Sequence, residues 1–178
     1  MKKETKPLVR NVTLKMLTVS DIQDFCILKE QYWKYGLKKQ LGWWIILSSP
    51  NDRIIFLEFN GKKISFCRLK KRKILLDNVI KDSYYLTELC VHKNFLKQGF
   101  AKLIIKESNK FLENAGHFGH LLCNFELKQF YLNLGWHESN NFFSRKNKDD
   151  TNECLSNKFC FTFNIKKFEE IVLIGSII

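Results

Sequence analysis

The sequence predicts one α/β or α+β domain, and three observations carry that prediction. Helix-period and strand-period segments are interleaved along the chain rather than segregated. An Asn60-Gly61 dipeptide between two strand-like runs marks a type I′ hairpin. A length of 178 residues suffices for one core, and 16 Phe with four Trp supply apolar surface to fill it.

In chain order, Asn11–Leu17 alternates as a first strand. Ser20-Asp21-Ile22-Gln23 has capping-box spacing and opens a helix with Ile22, Phe25, Cys26 and Trp33 on one face. Gly36 is expected to end it. A second helix, about Leu37–Leu47, turns Leu41, Trp44 and Ile45 inward, and Ser49-Pro50-Asn51-Asp52 is a turn. Arg53–Phe59 and Lys62–Leu69 are the hairpin strands. Ile74–Ile80 is apolar without a period and receives no element. The strand Tyr84–Val91 leads through a polar loop, His92–Gln98, into a helix over about Gly99–Asn114. Phe100, Leu103, Ile104, Phe111 and Leu112 line its inner face, and Gly116 stops it. Gly119–Cys123 is a strand, parallel to the previous one because a helix joins them. Glu126–Leu134 is a short helix. Trp136–Arg145 and Lys158–Ile165 are strands flanking a polar stretch, Lys146–Asn157. Phe159, Phe161, Phe163 and Ile165 share one face of the second. The tail from Lys166 to Ile178 is apolar without a clear period.

The net charge is +12, from 30 Lys+Arg against 18 Asp+Glu, which reads first as a solvated Lys-rich surface and second as attraction to a polyanion, either a nucleotide cofactor or nucleic acid, of which nucleic acid is not favoured. The one dense basic run is Lys70-Lys71-Arg72-Lys73. Six Cys form no C-x-x-C pair and the four His are scattered, so a reduced, cytoplasmic, metal-free protein is expected. MKKETKPLVR lacks the apolar core of a signal peptide. Apolar runs such as Trp43–Leu47 and Ile171–Ile174 are too short to cross a bilayer, so no membrane segment is expected. Either a monomer or a homodimer fits these features.

The most informative stretch is Leu86–Leu103, LTELCVHKNFLKQGFAKL. An apolar strand feeds a short loop and then a helix N-terminus. The first helical N–H groups have no partner inside the helix, and the macrodipole adds about half a positive charge there. Such a mouth binds anions. Gly99 carries no Cβ that would hold a phosphate away, and Ala101 keeps the first turn slim.

These residues resemble the acyl-CoA-binding loop of the GNAT N-acetyltransferase family, which reads Arg or Gln, any two residues, Gly, any one, then Gly or Ala. Gly99 and Ala101 fill the last two positions, whereas Leu96 stands where the family has Arg or Gln. A later stretch is similar to a second family motif: Asn124, Tyr131 seven residues on, then Gly135 and Trp136. The resemblance covers about Leu86–Trp136. It implies the GNAT fold in a single domain over residues 1–178, with the order β-αα-β-β-β-α-β-α-β-β and a mixed sheet splayed at its centre.

It also implies direct transfer of the acetyl group of acetyl-CoA to an amine. The backbone of Leu89, Cys90 and Val91 would pair with the pantetheine arm, the Val91 N–H facing the thioester oxygen. Leu96, Lys97, Gln98, Gly99, Phe100, Ala101 and Lys102 would hold the pyrophosphate. Tyr131 would be the general acid toward the thiolate, and Asn124 would bind the pantetheine arm or, alternatively, cap the helix that follows. Glu88 is the candidate base, since a carboxylate in an apolar strand is costly unless used or paired. The other readings of Glu88 are a solvent-facing side chain or one paired to Lys or Arg. His120 is the second candidate base. Cys90 and Cys123 suggest an acyl-cysteine route, but no Cys-His-Asp spacing supports it.

Substrate would enter between the first two helices and the loop joining the last two strands. Asp149, Asp150 and Glu153 there favour a cationic amine. Lys34, Lys38 and Lys39, among Tyr32, Trp33, Tyr35, Trp43 and Trp44, argue the other way. The acceptor stays open between a small amine and a peptide or protein amine. The competing readings are a catalytically weak or inactive CoA-binding or interaction module, and an acetyltransferase acting on an RNA-linked amine.

Overall fold

The structure, a computed structural model, describes residues 6–145, 158–165 and 168–175. Its elements are β1 (Leu8–Thr13), α1 (Val19–Glu30), α2 (Leu37–Leu47), β2 (Arg53–Phe59), β3 (Lys62–Leu76), β4 (Val79–Val91), α3 (Phe100–Asn114), β5 (Phe118–Cys123), α4 (Lys128–Leu132), β6 (His137–Ser139), β7 (Phe142–Arg145), β8 (Phe159–Phe163) and β9 (Ile171–Ile174). The expected succession holds through α4, after which the described residues form four short strands instead of two. The described residues fall into two compact units, one of those up to Lys70 with Thr87–Ser108, the other Lys71–Leu86 with the described residues from Asn109 on.

In the first unit β1, β2 and β3 form antiparallel ladders, from Leu8↔Glu58 to Thr13↔Arg53 and from Arg53↔Leu69 to Phe59↔Lys62, with β4 next to β3. The hairpin between β2 and β3 turns at Asn60 and Gly61, both at positive φ (+50° and +71°), as the type I′ turn demands. Alternation along β3 directs side chains to two faces. Phe66 meets Phe25 of α1, ring centroids 4.8 Å apart, while the neighbouring Cys67 meets Ser108 of α3, Sγ to Oγ 3.3 Å. Phe25, Cys26, Leu28, Trp44, Ile54, Phe56, Phe66 and Cys90 make one buried cluster. Its anchor to α2 is Arg68, which donates to the last-turn carbonyl of Leu47 (3.0 Å), pairs with the buried Asp52 (2.8 Å) and lies over Trp44. A cation at a helix C-terminus also meets the favourable end of the macrodipole.

Several expectations change here. β1 starts three residues earlier than predicted and stops at Thr13, because the Leu14 N–H turns to Asp52 O (3.0 Å) and residues 14–16 wind into a 3₁₀ turn. The capping box of α1 is Thr18 with Asp21, not Ser20 with Gln23. Thr18 Oγ1 accepts the Asp21 N–H (3.1 Å) and Asp21 returns a bond to the Thr18 N–H (2.7 Å). Lys63 then holds the Asp21 carboxylate at 2.8 Å, a tertiary contact made from β3. Trp33 lies beyond the end of α1 and is 39% exposed. Gly36 is the N-cap of α2 rather than the stop of α1, and Ile45 is 82% exposed.

In the second unit β4 pairs parallel with β5 from Ser83↔Phe118 to Tyr85↔His120, and the parallel register ends there. β8 lies antiparallel between β5 and β6. The end of β3 pairs with β9, which pairs parallel with β7. The unassigned Ile74–Ile80 is the tip of the β3–β4 hairpin. Asp77 and Asn78 adopt φ +49° and +65°, a two-residue turn made by the two non-glycine types that best tolerate it. The Asp77 carboxylate accepts the N–H groups of Glu169 and Glu170 (2.9 and 2.8 Å), which pins the tail so that Ile171–Ile174 becomes a strand.

The expected strand Trp136–Arg145 is two strands broken at Asn140-Asn141, one paired with β8 and the other with β9. The expected helix Glu126–Leu134 is a 3₁₀ turn, Phe125–Leu127, continued by five α-helical residues. In β8 both faces are buried, since Cys160 and Thr162 are covered as well as Phe161 and Phe163. On α3, Ile104, Ile105 and Leu112 are buried, whereas Leu103 is 37% exposed.

Candidate active site

The end of β4 and the loop after it belong to the first unit. Glu88 sits in the left-handed region, φ +58°, within an otherwise extended strand. Its Oε1 accepts a hydrogen bond from Lys29 Nζ at 3.0 Å, with side-chain exposures of 8% for Lys29 and 16% for Glu88. Arg68 adds a second cation at 3.9 Å, and Oε2 is buried with no hydrogen-bond partner among the described residues. Leu89 is half-buried; Cys90 and Val91 are buried. The Cys90 carbonyl accepts Ser65 Oγ (2.8 Å), the Val91 carbonyl accepts the Tyr32 hydroxyl, and the His92 N–H donates to Ile64 O (2.7 Å).

Beyond β4, His92 caps a 3₁₀ turn over Lys93–Phe95, its Nδ1 accepting the Asn94 N–H at 3.2 Å. Leu96 is extended and exposed. Lys97 and Gly99 are left-handed, φ +61° and +83°, and Gln98 Nε2 donates to Asn94 O (3.3 Å). The chain thereby reverses into α3, whose opening bond runs from the Leu103 N–H to Gly99 O (3.0 Å). The amides of Phe100, Ala101 and Lys102 precede that bond, so helix geometry leaves them without an intrahelical acceptor. A Cβ built on Gly99 meets no atom within 4 Å, so the space beside this residue at the helix mouth is open. An anionic group fits such a place on donor chemistry and room alone.

The remaining expected site residues belong to the second unit. Tyr131, on α4, is 4% exposed; its ring packs against Phe130, Phe161 and Trp136 at centroid distances of 5.0, 6.1 and 6.2 Å. Asn124 is exposed and makes no side-chain cap bond to the turn after it. Instead its Oδ1 accepts Lys158 Nζ at 2.7 Å. His120 is buried, bonded through Nδ1 to Ser83 Oγ (2.8 Å) and stacked on Tyr85. Burial, with Arg72 adding its positive charge, brings its pKa down to about 3, so it is an uncharged imidazole near neutrality. The thiols move the opposite way. Burial pushes Cys90 up and takes Cys123 to about 11, so neither is a thiolate at neutral pH. Asp149, Asp150 and Glu153 lie outside the described residues. Among the described residues no three His, Cys, Asp or Glu come together as a metal site, and no helix is long and apolar enough to cross a membrane.

Lys29, Arg68 and Ser65 did not stand out in the sequence, and Tyr32 stood out only as one of the aromatics on the substrate side, not as a partner of Val91. Lys29 is a cation on the buried face of α1 beside Phe25, Cys26 and Leu28, which is the one signal that pointed to a buried partner.

Residues 45–152, more than half of the chain, match the family described as Acetyltransferase (GNAT) domain. No curated protein sequence matches the chain significantly. Among solved structures, *Escherichia coli* YhbS, a GNAT family N-acetyltransferase in complex with CoA, is similar at TM-score 0.65 with 11% identity, covering 96% of this chain and 89% of that one. *Escherichia coli* ElaA is similar at TM-score 0.63 and 12% identity, covering 89% and 99%. The ribosomal-protein-S18-alanine N-acetyltransferase from *Escherichia coli* gives 0.58 and 14%, covering 95% and 96%. At such identities these likenesses establish a shared fold, and with the match over residues 45–152 the chain belongs to the GNAT acetyltransferase family.

Proposed function

We propose that the protein is an N-acetyltransferase that moves the acetyl group of acetyl-CoA directly to an amine of a small molecule, peptide or protein. The observation that carries this reading is the helix mouth at Gly99–Lys102, open beside Gly99 and reached from β4 through the His92–Gln98 loop, in a chain of the GNAT family. Acetyl-CoA supplies the acyl group: a nitrogen–carbon bond forms, the carbon–sulfur bond breaks, and one proton passes from the amine to the departing sulfur.

The chain's residues take the following parts. Amides of Gly99, Phe100, Ala101 and Lys102 hold the pyrophosphate, with Leu96, Lys97 and Gln98 shaping the loop and Lys97 and Lys102 adding charge. With Leu96 at the usual Arg or Gln position, backbone donors carry the anion. Leu89, Cys90 and Val91 present main-chain groups to the pantetheine arm, the Val91 N–H serving the thioester oxygen. Asn124 binds the same arm after releasing Lys158. Tyr131, protonated at neutral pH, gives its proton to sulfur. Glu88 receives the amine proton through water on Oε2, the oxygen that Lys29 does not hold.

A second reading is a CoA-binding module without turnover, and the observation favouring it is the Lys29 ammonium on the would-be base. The deciding experiment is a thermal-shift titration with acetyl-CoA followed by thiol-release assays over an amine panel. Stabilisation with turnover supports the enzyme, and stabilisation without turnover over a broad panel supports the module. The absence of any stabilisation removes both.

A further inference from the structure

Two consecutive carbonyls at the end of β4 are taken by side-chain hydroxyls. Ser65 Oγ, fully buried on β3, donates to Cys90 O at 2.8 Å, and the Tyr32 hydroxyl, just beyond α1, donates to Val91 O. The Cys90 carbonyl and the Val91 N–H belong to one peptide group. A hydrogen bond accepted by the carbonyl polarises that peptide and makes its N–H a stronger donor. The bond also fixes the plane of the peptide and hence the direction in which the N–H points.

Tyr32 does the same for the following peptide, whose N–H, that of His92, is already bonded to Ile64 O at 2.7 Å. The peptide after Val91 is therefore held at both ends. Such fixing matters here because the left-handed turn of the backbone at Glu88 interrupts regular strand geometry just upstream. The orientation of the planes that follow cannot simply be inherited from the pleat.

We propose that Ser65 and Tyr32 are positioning residues: their hydroxyls brace the two peptide groups flanking Val91 and sharpen its N–H as the donor to the thioester oxygen. The inference rests on the acetyl-CoA reading above. Neither hydroxyl touches the reacting atoms, and each acts through a carbonyl. Tyr32 couples the end of α1 to this geometry, so its brace forms only when that segment lies against β4.

The test is isotope-edited infrared spectroscopy of acetyl-CoA carrying a ¹³C carbonyl, bound to the full chain, alongside calorimetric titration with CoA, which lacks the acetyl group. In the wild type the bound carbonyl band is expected below its frequency in free acetyl-CoA. Ser65→Ala should move the band back toward the free value and lower turnover by roughly three- to tenfold, with CoA affinity within about twofold of wild type. Ser65→Thr, which keeps the hydroxyl, should restore both, and Tyr32→Phe should move the band part of the way. An unchanged band in Ser65→Ala overturns the proposal; should that variant fail to fold, an unchanged band in Tyr32→Phe overturns it. A wild type that binds acetyl-CoA with an unshifted carbonyl also overturns the brace while leaving the acetyl-CoA reading intact. A wild type that does not bind acetyl-CoA overturns both.

Discussion

Replacing Gly99 separates the anion-binding role of the loop from its role in folding. The residue sits at φ +83°, yet an added Cβ would meet nothing within 4 Å, so the demand for glycine is conformational and not steric. An L-residue there costs ~1–2 kcal/mol, and Asn less, because its side chain tolerates the left-handed region. Gly99→Glu suffers the same strain but recovers ~0.3–1 kcal/mol from a negative charge beside the N-terminus of α3. Its net loss of stability is therefore about 1 kcal/mol, a few degrees in Tm for a chain of this size. The effect on a bound pyrophosphate is far larger. A carboxylate about 4–8 Å from a phosphate at an effective dielectric of about 20 is repelled by ~2–4 kcal/mol, or roughly 30- to 1,000-fold in Kd. Calorimetric titration with CoA, paired with thermal melts, reads both quantities. Gly99→Asn should bind about tenfold more weakly while melting close to wild type, and Gly99→Glu should lose measurable binding. A folded Gly99→Glu that binds CoA within about threefold of wild type would refute the assignment of this helix mouth to phosphate.

Other outcomes follow from the remaining geometry. Tyr131→Phe should lower turnover by roughly tenfold or more with little change in CoA affinity, and unchanged turnover excludes it as the acid. Glu88→Gln should remove the fall in kcat/KM at low pH, and an unaltered pH–rate profile clears Glu88 of the base role. Lys29→Met should cost ~1.5–3 kcal/mol in urea unfolding, because it removes the 3.0 Å charged hydrogen bond of a mostly buried carboxylate and leaves it Arg68 at 3.9 Å. The same change made in a Glu88→Gln background should cost much less, and equal costs in both backgrounds would show the pair to be uncoupled. His120 makes stability depend on pH. The folded form resists protonation down to about pH 3, whereas the unfolded chain takes up a proton near 6.5. Stability is complete above 6.5 and falls as the pH drops toward 3, by up to ~1.4 kcal/mol for each unit. In His120→Gln that part of the slope should disappear, and an identical slope would mean the imidazole is not buried in neutral form.

Much of the fold was legible in local pattern. The bounds of α2 and β2, the Asn60-Gly61 hairpin and the Leu86–Leu103 strand, loop and helix appear as read, because caps, turn residues and periodicity are properties of near neighbours. Several of the misreadings involve a distant partner. The sequence pointed to Ser20 with Gln23 as the capping box of α1, whereas the structure builds it on Thr18 with Asp21, whose carboxylate Lys63 holds from β3. The Asp77-Asn78 turn contains no glycine and was hidden in an apolar run, and only Glu169 and Glu170 reveal what its carboxylate does. The split between β6 and β7 depends on which strands receive each half.

The sequence by itself determined the family motifs, the succession of elements through α4 and the glycine at the mouth of α3, all written within a few residues of where they act. Only tertiary structure decided the company those residues keep. Lys29 reaches Glu88 and Tyr32 reaches Val91 across 59 positions each, and Ser65 reaches Cys90 across 25. Hydrogen bonds and ion pairs act over a few ångströms of space whatever the separation along the chain, and so no reading of neighbours could supply them.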